Sequence, residues 1–271
     1  MKKRQILIII PLIAIFISCN DKKDNITPTV DTYPMTVGTE WTYDRQVIFK
    51  KFESETSDKI IDIDTINVTV KVWIEKDTVL NDTMSVKVFK SRINDNNWIS
   101  NQYKYLDNEG LKNYAYSNFR GANVFAQKSS LLKYGLTIDF NKTLDNGILT
   151  SDDIIFEDTP TLDIKLPLGD NSTWTYRKPS DARKLQIDKS VNGSETLTLL
   201  GQIFPCFKVS WNYLNDTIFD GINITDWISE KGLIKRLIII DKTIYTNEHG
   251  EPLFYGQLIE TLVLKDLKIN P

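Results

Sequence analysis

Cysteine and histidine are scarce in this chain. Its 271 residues include two cysteines, Cys19 and Cys206, and one histidine, His249. His249 lies in the turn-like sequence NEHGEP, and no serine or cysteine nucleophile can be placed beside it by spacing, which argues against a catalytic triad or a histidine-rich zinc site. Cys206 follows Pro205 in an apolar, aromatic setting that disfavours a reactive thiolate and predicts a small core residue. We therefore predict no catalytic residue, no cofactor and no metal ion.

After its first four residues, the chain has no long cluster of positive charge. Lys and Arg number 33, against 36 Asp and Glu. If residues 1–18 are removed, as argued below, the remaining 30 basic and 36 acidic side chains give a formal net charge of −6. Nucleic-acid binding needs Lys and Arg concentrated on one face, so we exclude nucleic acid as a partner.

Helical periodicity is also weak. No stretch of 12 or more residues combines an apolar repeat of 3.6 with caps at both ends, so any helix is expected to be short and to lie near Leu111–Leu132. Alternation of apolar and polar residues is typical of half-buried antiparallel strands. It occurs over Ile60–Ile74, over Met84–Val88 and over Leu132–Phe140.

Turn-forming pairs separate the predicted strands, because Asn, Asp and Gly tolerate positive φ. Asn192-Gly193 predicts a hairpin, and Asn146-Gly147 and Asp220-Gly221 predict two further turns. Leu233–Tyr245 and Leu253–Leu267 predict a closing hairpin. The predicted fold is mainly β, with antiparallel sheets curled as a half-barrel, barrel or sandwich and with little helix.

Three sequence landmarks occur twice. The pairs are YPMTVGTEWTY at 33–43 with LPLGDNSTWTY at 166–176, SVKVF at 85–89 with FKVSW at 207–211, and YLDNEGLK at 105–112 with WISEKGLI at 227–234. We interpret them as a diverged internal duplication, with a first β module over 33–160 and a second over 161–271. Whether the modules stand in tandem or form one closed sheet in a single domain is left open.

The first 18 residues have the pattern of a secretion signal. Lys2, Lys3 and Arg4 precede an apolar run, Ile6–Ile17, that only Pro11 interrupts. A membrane-spanning helix needs about 20 apolar residues, so this run is too short to be one. We predict a cleaved signal peptide that ends just before the first cysteine.

The residues FISC at 16–19 resemble the lipobox of bacterial lipoproteins, in which a small residue precedes a cysteine at the end of the apolar run. The resemblance implies cleavage before Cys19, a diacylglyceryl group on its thiol and an acyl chain such as palmitate on its amine. Asn20 stands where enterobacterial lipoproteins of the inner membrane usually have Asp, which favours the outer membrane, facing the periplasm or the cell surface. Residues 19–32 would be the lipidated cysteine and a flexible tether.

The mature chain also resembles the β-rich outer-membrane lipoproteins of unknown function in Gram-negative bacteria, which share a Pro, Gly, Trp-x-Tyr opening and a later aromatic residue before Gly-Leu. The matching residues are Pro34, Gly38, Trp41, Tyr43, Tyr105, Gly110 and Leu111, then Pro167, Gly169, Trp174, Tyr176, Trp227, Gly232 and Leu233. The resemblance implies a β architecture and assigns no ligand residue.

Two aromatic pairs are the candidate ligand site. Trp41 with Tyr43, and Trp174 with Tyr176, occupy alternate positions, so each pair projects from one face of its strand. If those faces point inward in a closed sheet, the four residues are core. If the sheet is an open half-barrel, they would line a groove for a lipid or another hydrophobic ligand.

Acidic residues cluster twice, at Asp62 and Asp64 and at Asp152, Asp153, Glu157 and Asp158. Such clusters are typical of a solvated edge, although two carboxyl groups about 5 to 10 Å apart would suit glycoside hydrolysis. The sequence therefore predicts a lipid-anchored, noncatalytic cell-envelope lipoprotein that binds a protein partner or a hydrophobic ligand. The alternative is a secreted, carboxylate-dependent hydrolase similar to a glycosidase.

Overall fold

The structure is a computed structural model that describes residues 28–94, 99–117, 154–179, 186–214, 221–246 and 252–270. Within these ranges every regular element is a β-strand, which confirms the mainly β prediction. The strands are β1 (Glu40–Phe52), β2 (Ile60–Leu80), β3 (Met84–Ile93), β4 (Ile99–Leu106), β5 (Gly110–Ser117), β6 (Ile155–Lys165), β7 (Thr173–Arg177), β8 (Gln186–Leu199), β9 (Gln202–Leu214), β10 (Ile222–Ser229), β11 (Gly232–Thr246) and β12 (Pro252–Lys268). Over the same ranges, no helix has the length and apolarity needed to cross a membrane.

All twelve strands belong to one antiparallel sheet in the order β6-β5-β4-β3-β2-β1-β12-β11-β10-β9-β8-β7. The first and last strands pair in the middle of this order, where Val47 lies opposite Glu260. The sheet curls into a nearly closed barrel, so that its two outermost strands, β6 and β7, come together. We call the junction of β6 and β7 the seam. Across it, the indole Nε1 of Trp174 donates to the carbonyl oxygen of Leu162 at 2.9 Å.

The strong alternation of β1 shows how the sequence orients the sheet. Trp41, Tyr43, Val47 and Phe49 are 1 to 6% exposed and share one face of the strand, which we call the inner face. Asp44 and the other intervening residues point to the outer face, which is more exposed. Because side chains alternate with a period of two, a slip of one residue would exchange the two faces.

The Asn192-Gly193 hairpin prediction is wrong. Both residues lie inside β8, where the pairing with β9 shifts register between Val191 and Ser194. Gly193 has φ +96°. A residue with positive φ occurs in β-bulges as well as in two-residue turns, so the sequence pair alone does not identify a turn. The actual turn between β8 and β9 is at Leu200 and Gly201, which also have positive φ.

Other local predictions fare differently. The closing hairpin is confirmed as β11 and β12, and the alternating segment from Ile60 is confirmed as part of β2. The short helix expected near Leu111–Leu132 is wrong for its first part, because the chain forms β5 up to Ser117. The predicted strand at Leu132–Phe140 and the turn at Asn146-Gly147 lie outside the described residues.

The sequence landmarks of the predicted duplication occupy matching places in the strand order. The segments at 85–89 and 207–211 lie in β3 and β9, the third strands of the two halves, and Gly110 and Gly232 begin the fifth strands. The module boundary between residues 160 and 161 falls inside β6. The duplication itself stays a prediction.

Candidate functional site

The four aromatic residues of the predicted ligand site are buried. Trp41, Tyr43, Trp174 and Tyr176 are 1, 3, 7 and 6% exposed. They do not meet in one place: Trp41 and Tyr43 share a hydrophobic cluster, whereas Trp174 and Tyr176 belong to two others. Their role in a ligand groove stays a prediction, and in the structure each packs among other buried hydrophobic residues.

The polar atoms of Trp41 and Tyr43 form hydrogen bonds with a distant part of the chain. The indole Nε1 of Trp41 donates to the carbonyl oxygen of Lys231 at 2.8 Å, and the hydroxyl of Tyr43 donates to that of Leu233 at 3.0 Å. Lys231 lies in the turn between β10 and β11, and Leu233 is the second residue of β11. Burial raises the pKa of Tyr43 well above its ordinary value, so its hydroxyl stays a neutral donor. Trp41 and Tyr43 therefore connect the start of β1 to the start of β11.

A charged cluster lies on the inner face beneath β8, β9, β10 and β11. Asp226, 2% exposed, accepts hydrogen bonds from Arg236 Nε at 2.5 Å, Arg236 Nη2 at 2.8 Å and Trp211 Nε1 at 2.9 Å. Burial alone would raise the pKa of Asp226, but the charge and hydrogen bonds of Arg236 hold it below its usual value. The carboxylate is therefore ionised and fully engaged.

Lys189 joins this cluster to the seam. Its ammonium, on a residue 3% exposed, lies 3.9 Å from the ring centroid of Trp211 and 4.3 Å from that of Tyr176. It also donates to the carbonyl oxygen of Asp163 in β6 at 2.9 Å, and so bridges the seam. Loss of hydration on burial lowers the pKa of Lys189 to about 8, although Asp226 and Asp163 oppose the change.

Lys189 predicts a specific pH dependence of stability. Its pKa falls from 10.5 in the unfolded chain to about 8 in the folded one. Between these values the unfolded state binds more protons, so the free energy of unfolding rises with pH. Relative to the Lys189→Met variant, we expect the wild type to gain about 2 kcal/mol between pH 8 and about pH 9.5. Urea unfolding at a series of pH values measures the difference.

The upper limit of about pH 9.5 is chosen so that ionisation of tyrosines does not contribute to the measured change in stability. Burial raises the pKa of Tyr43 in the folded protein, whereas unfolded tyrosines ionise near pH 10 and oppose the lysine effect above that pH. The exposed Lys59, which pairs with Glu53 at 2.9 Å, offers the matched control variant Lys59→Met. Equal slopes for the wild type and for Lys189→Met would contradict the prediction.

Two further ion pairs are buried in the interior. Arg45 and Glu260 join β1 to β12 through hydrogen bonds of 2.9 and 2.6 Å, and their side chains are 2 and 3% exposed. Arg177 and Glu157 join β7 to β6 across the seam at 2.9 and 2.8 Å. Charges buried in this way must be paired, so each of these groups is committed to holding the sheet together.

Three of the acidic residues proposed for hydrolysis bind cationic side chains, and a fourth, Asp158, is exposed to solvent. Glu157 binds Arg177 with both oxygens, and Asp62 and Asp64 lie 2.7 and 2.8 Å from Lys51. Asp152 and Asp153 lie outside the described residues. Among the residues that are described, no group of three or more His, Cys, Asp or Glu could hold a metal ion. The hydrolase alternative therefore gains no support here.

Cys206 is a core residue, as its apolar sequence setting predicts. Its side chain is fully buried, and its thiol donates to the carbonyl oxygen of Phe204 at 3.3 Å. Burial raises the pKa of Cys206 to about 12, so it is not a nucleophile near neutral pH. The other cysteine, Cys19, and the histidine, His249, lie outside the described residues.

A feature that sequence reasoning missed is a polar depression on the outer face. It has a volume of about 570 Å³ and crosses β2, β1 and β12. Its lining includes Asp44, Gln46, Asn67, Thr69 and Thr261. These residues come from three strands that are neighbours only after folding, so no local motif marks them.

Comparisons with known proteins found solved structures of low similarity to this chain. No protein family and no curated protein matches the sequence. The chain is similar to a candidate lipoprotein from Parabacteroides distasonis, with 12% identity, a TM-score of 0.31 and coverage of 87% of this chain and 97% of that one. It is also similar to a candidate exported protein with a YmcC-like fold from Bacteroides fragilis, with 11% identity, a TM-score of 0.33 and coverage of 88 and 99%.

A third similar structure is a domain of a candidate outer membrane lipoprotein-sorting protein from Vibrio parahaemolyticus. It has 9% identity, a TM-score of 0.23 and coverage of 85% of each chain. Because identity and TM-score are low in all three cases, the function has to be argued from this chain's own residues.

Proposed function

We propose that this chain is a lipid-anchored lipoprotein of the outer membrane that acts by binding a protein partner and not by catalysis. The observation that carries the proposal is Cys19, placed directly after a basic and apolar leader of 18 residues. One acyl chain gives only marginal membrane binding, whereas two or more give lasting attachment. A diacylglyceryl cysteine with an acylated amine would therefore hold the protein at the membrane without a spanning segment.

The attachment of the tether to the sheet supports this arrangement. Val30 is fully buried, and its carbonyl oxygen accepts a hydrogen bond of 2.9 Å from the backbone N–H of Leu168, just before β7. Val30 lies eleven positions after Cys19, which allows a reach of about 36 Å when extended. The sheet can thus stand clear of the lipid headgroups while it stays on the membrane.

We favour a protein partner over a small ligand because the four aromatic residues of the candidate ligand site are buried in hydrophobic clusters. Trp41 and Tyr43 pack in the core, and Arg45 and Arg236 bind carboxylates within the sheet. The polar depression lies on the outer face. The surface of the protein consists of strand edges and outward-facing side chains. Such a surface suits the binding of a protein segment.

Replacing Cys19 with alanine tests the anchor. In cells fed an alkyne-labelled palmitate, we expect the wild type to incorporate the label and to sediment with outer-membrane fractions, because the thiol is the attachment point. The Cys19→Ala variant is expected to incorporate no label and to leave the outer-membrane fraction. Gel fluorescence after coupling to a dye measures incorporation.

The second cysteine supplies the matched control. Because Cys206 is buried, Cys206→Ala should keep full labelling and the same membrane fraction. Labelling of Cys19→Ala at the wild-type level would refute the anchor. Labelling of the wild type combined with sedimentation in the inner membrane would refute the outer-membrane part of the proposal alone.

A further inference from the structure

The longest strand of the sheet extends past its neighbour. β2 has 21 residues, and its pairing with β3 ends where Val70 lies opposite Ile93. Asn94 then closes the β3 side of the ladder, since its backbone N–H and its side-chain oxygen bond the carbonyl and N–H of Thr69 at 2.7 and 2.9 Å. Among the described strands, Ile60–Val68 pairs only with β1. We call this segment the β2 edge.

The β2 edge presents backbone groups to solvent. Both backbone groups of Thr69 point toward β3, and an antiparallel strand alternates the direction of these groups. The N–H and C=O of Ile63, Thr65 and Asn67 therefore point away from β1 as well. The N–H of Ile63 donates to the exposed carboxylate of Asp62 at 2.9 Å, so a docking strand would take over this hydrogen bond. Every residue from Ile60 to Thr65 is exposed. A row of accessible donors and acceptors of this kind is a template for another strand.

The outer side of the β2 edge is apolar. Ile61 and Ile63 are 57 and 53% exposed. Across the adjoining strands, the partly exposed Ile48, Ile259 and Ile239 lie in one register row of β1, β12 and β11. The row starts diagonally next to Ile63, and together these five residues form an isoleucine stripe. An exposed apolar stripe beside an open strand edge is typical of an interaction surface.

The opposite side of the β2 edge is acidic. Asp62 and Asp64, whose side chains are 54 and 57% exposed, share the single ammonium of Lys51 at 2.7 and 2.8 Å. Two carboxylates against one cation leave a net negative charge. A strand docked here would therefore meet apolar side chains on one of its faces and negative charge on the other.

A second open edge in the sheet, on β9, differs from the β2 edge because it contains a proline. Gln202–Cys206 of β9 has only β8 as a partner among the described strands, and it holds an exposed isoleucine, Ile203, 59% exposed. That edge contains Pro205, which cannot donate a backbone hydrogen bond and so discourages strand addition. The β2 edge contains no proline.

We propose that the β2 edge binds an extended segment of a partner protein in which apolar and basic residues alternate. The segment adds to β2 as a further strand, with its apolar residues beside Ile61 and Ile63 and its Lys or Arg beside Asp62 and Asp64. A second copy of this chain fits less well, because pairing with Ile63 opposite its own copy would set Asp62 against Asp64. The inference rests on the binding role proposed above but not on the lipid anchor.

Two labelled peptides test this proposal on the full-length lipoprotein in neutral detergent. One peptide of about nine residues alternates valine and lysine, and the other alternates valine and glutamate. Fluorescence anisotropy should show saturable binding of the lysine peptide and at least about tenfold weaker binding of the glutamate peptide. Ile63→Glu should weaken binding of the lysine peptide by about tenfold, because it removes apolar contact at the edge.

Ile203→Glu is the matched control, since it adds the same charge at an equally exposed isoleucine of the proline-containing edge, and it should leave binding unchanged. Equal binding of the two peptides, or no effect of Ile63→Glu, would overturn the proposal. A dimer seen by light scattering that dissociates in Ile63→Glu would also overturn it, because a second copy would then occupy the edge. Repeating the titration with Cys19→Ala separates this result from a failure of the anchor, which palmitate labelling reports independently.

Discussion

Replacement of Gly110 by alanine is expected to lower the free energy of unfolding by about 4 kcal/mol. A Cβ at this position would lie 2.0 Å from the carbonyl oxygen of Ile164 and 2.9 Å from the backbone nitrogen of Leu166. Both are backbone atoms and cannot rotate away, so β5 and β6 would have to separate. The φ of +140° adds strain for any residue with a side chain. Urea unfolding followed by tryptophan fluorescence measures the loss.

Gly201→Ala distinguishes contact from backbone strain. Gly201 also has a positive φ, +69°, but a Cβ added there would meet no atom within 4 Å. We expect this variant to lose about 1 kcal/mol, the cost of the left-handed conformation alone. If the two alanine variants lost the same amount, close approach of β6 to Gly110 would not be the reason for the glycine.

Replacement of Glu260 by leucine is expected to destabilise the protein by about 3 to 5 kcal/mol. The change removes the carboxylate that Arg45 binds with two hydrogen bonds, while the guanidinium stays buried between β1 and β12. A buried charge without its counter-charge costs far more than a neutral pair of similar volume. The effect should be large because β1 and β12, the first and last strands of the chain, pair in the middle of the sheet. Thermal and urea unfolding measure it.

The coupling between the two residues is the decisive part of this experiment. The double variant Arg45→Met with Glu260→Leu removes both charges and should recover most of the lost stability. Asp44→Asn breaks an exposed pair with Lys265, 2.8 Å long, on the same two strands, and is expected to cost less than about 1 kcal/mol. If the double variant had the same free energy of unfolding as Glu260→Leu, the unpaired charge of Arg45 would not be the cause of the destabilisation.

Individual strands could be predicted where their pattern is local. The alternation of Ile66, Val68 and Val70 identifies β2 because side chains of any strand repeat every two residues. Asn192-Gly193 misled for the opposite reason. Positive φ suits both a turn and a bulge, and only the pairing of Val191 with Val209 decides between them.

The site residues show the same division. The spacing of Trp174 and Tyr176 correctly places them on a strand, but their burial depends on closure of the seam, where Trp174 meets Leu162. The partners of Arg45 and Lys189 could not be predicted, since Glu260 and Asp163 lie 215 and 26 positions away. Nothing in a local pattern identifies a contact over such distances.

The sequence by itself determined that this protein is built from antiparallel strands, and it supplies the leader and the cysteine on which the proposed anchor rests. Both follow from short-range order: the alternation of side chains along a strand, and the succession of charge, apolar run and Cys19. Only the tertiary structure decided that β1 pairs with β12, that Arg45 meets Glu260 in the interior and that the β2 edge stays accessible. These features depend on which distant segments become neighbours, and that choice is made by the packing of the whole sheet.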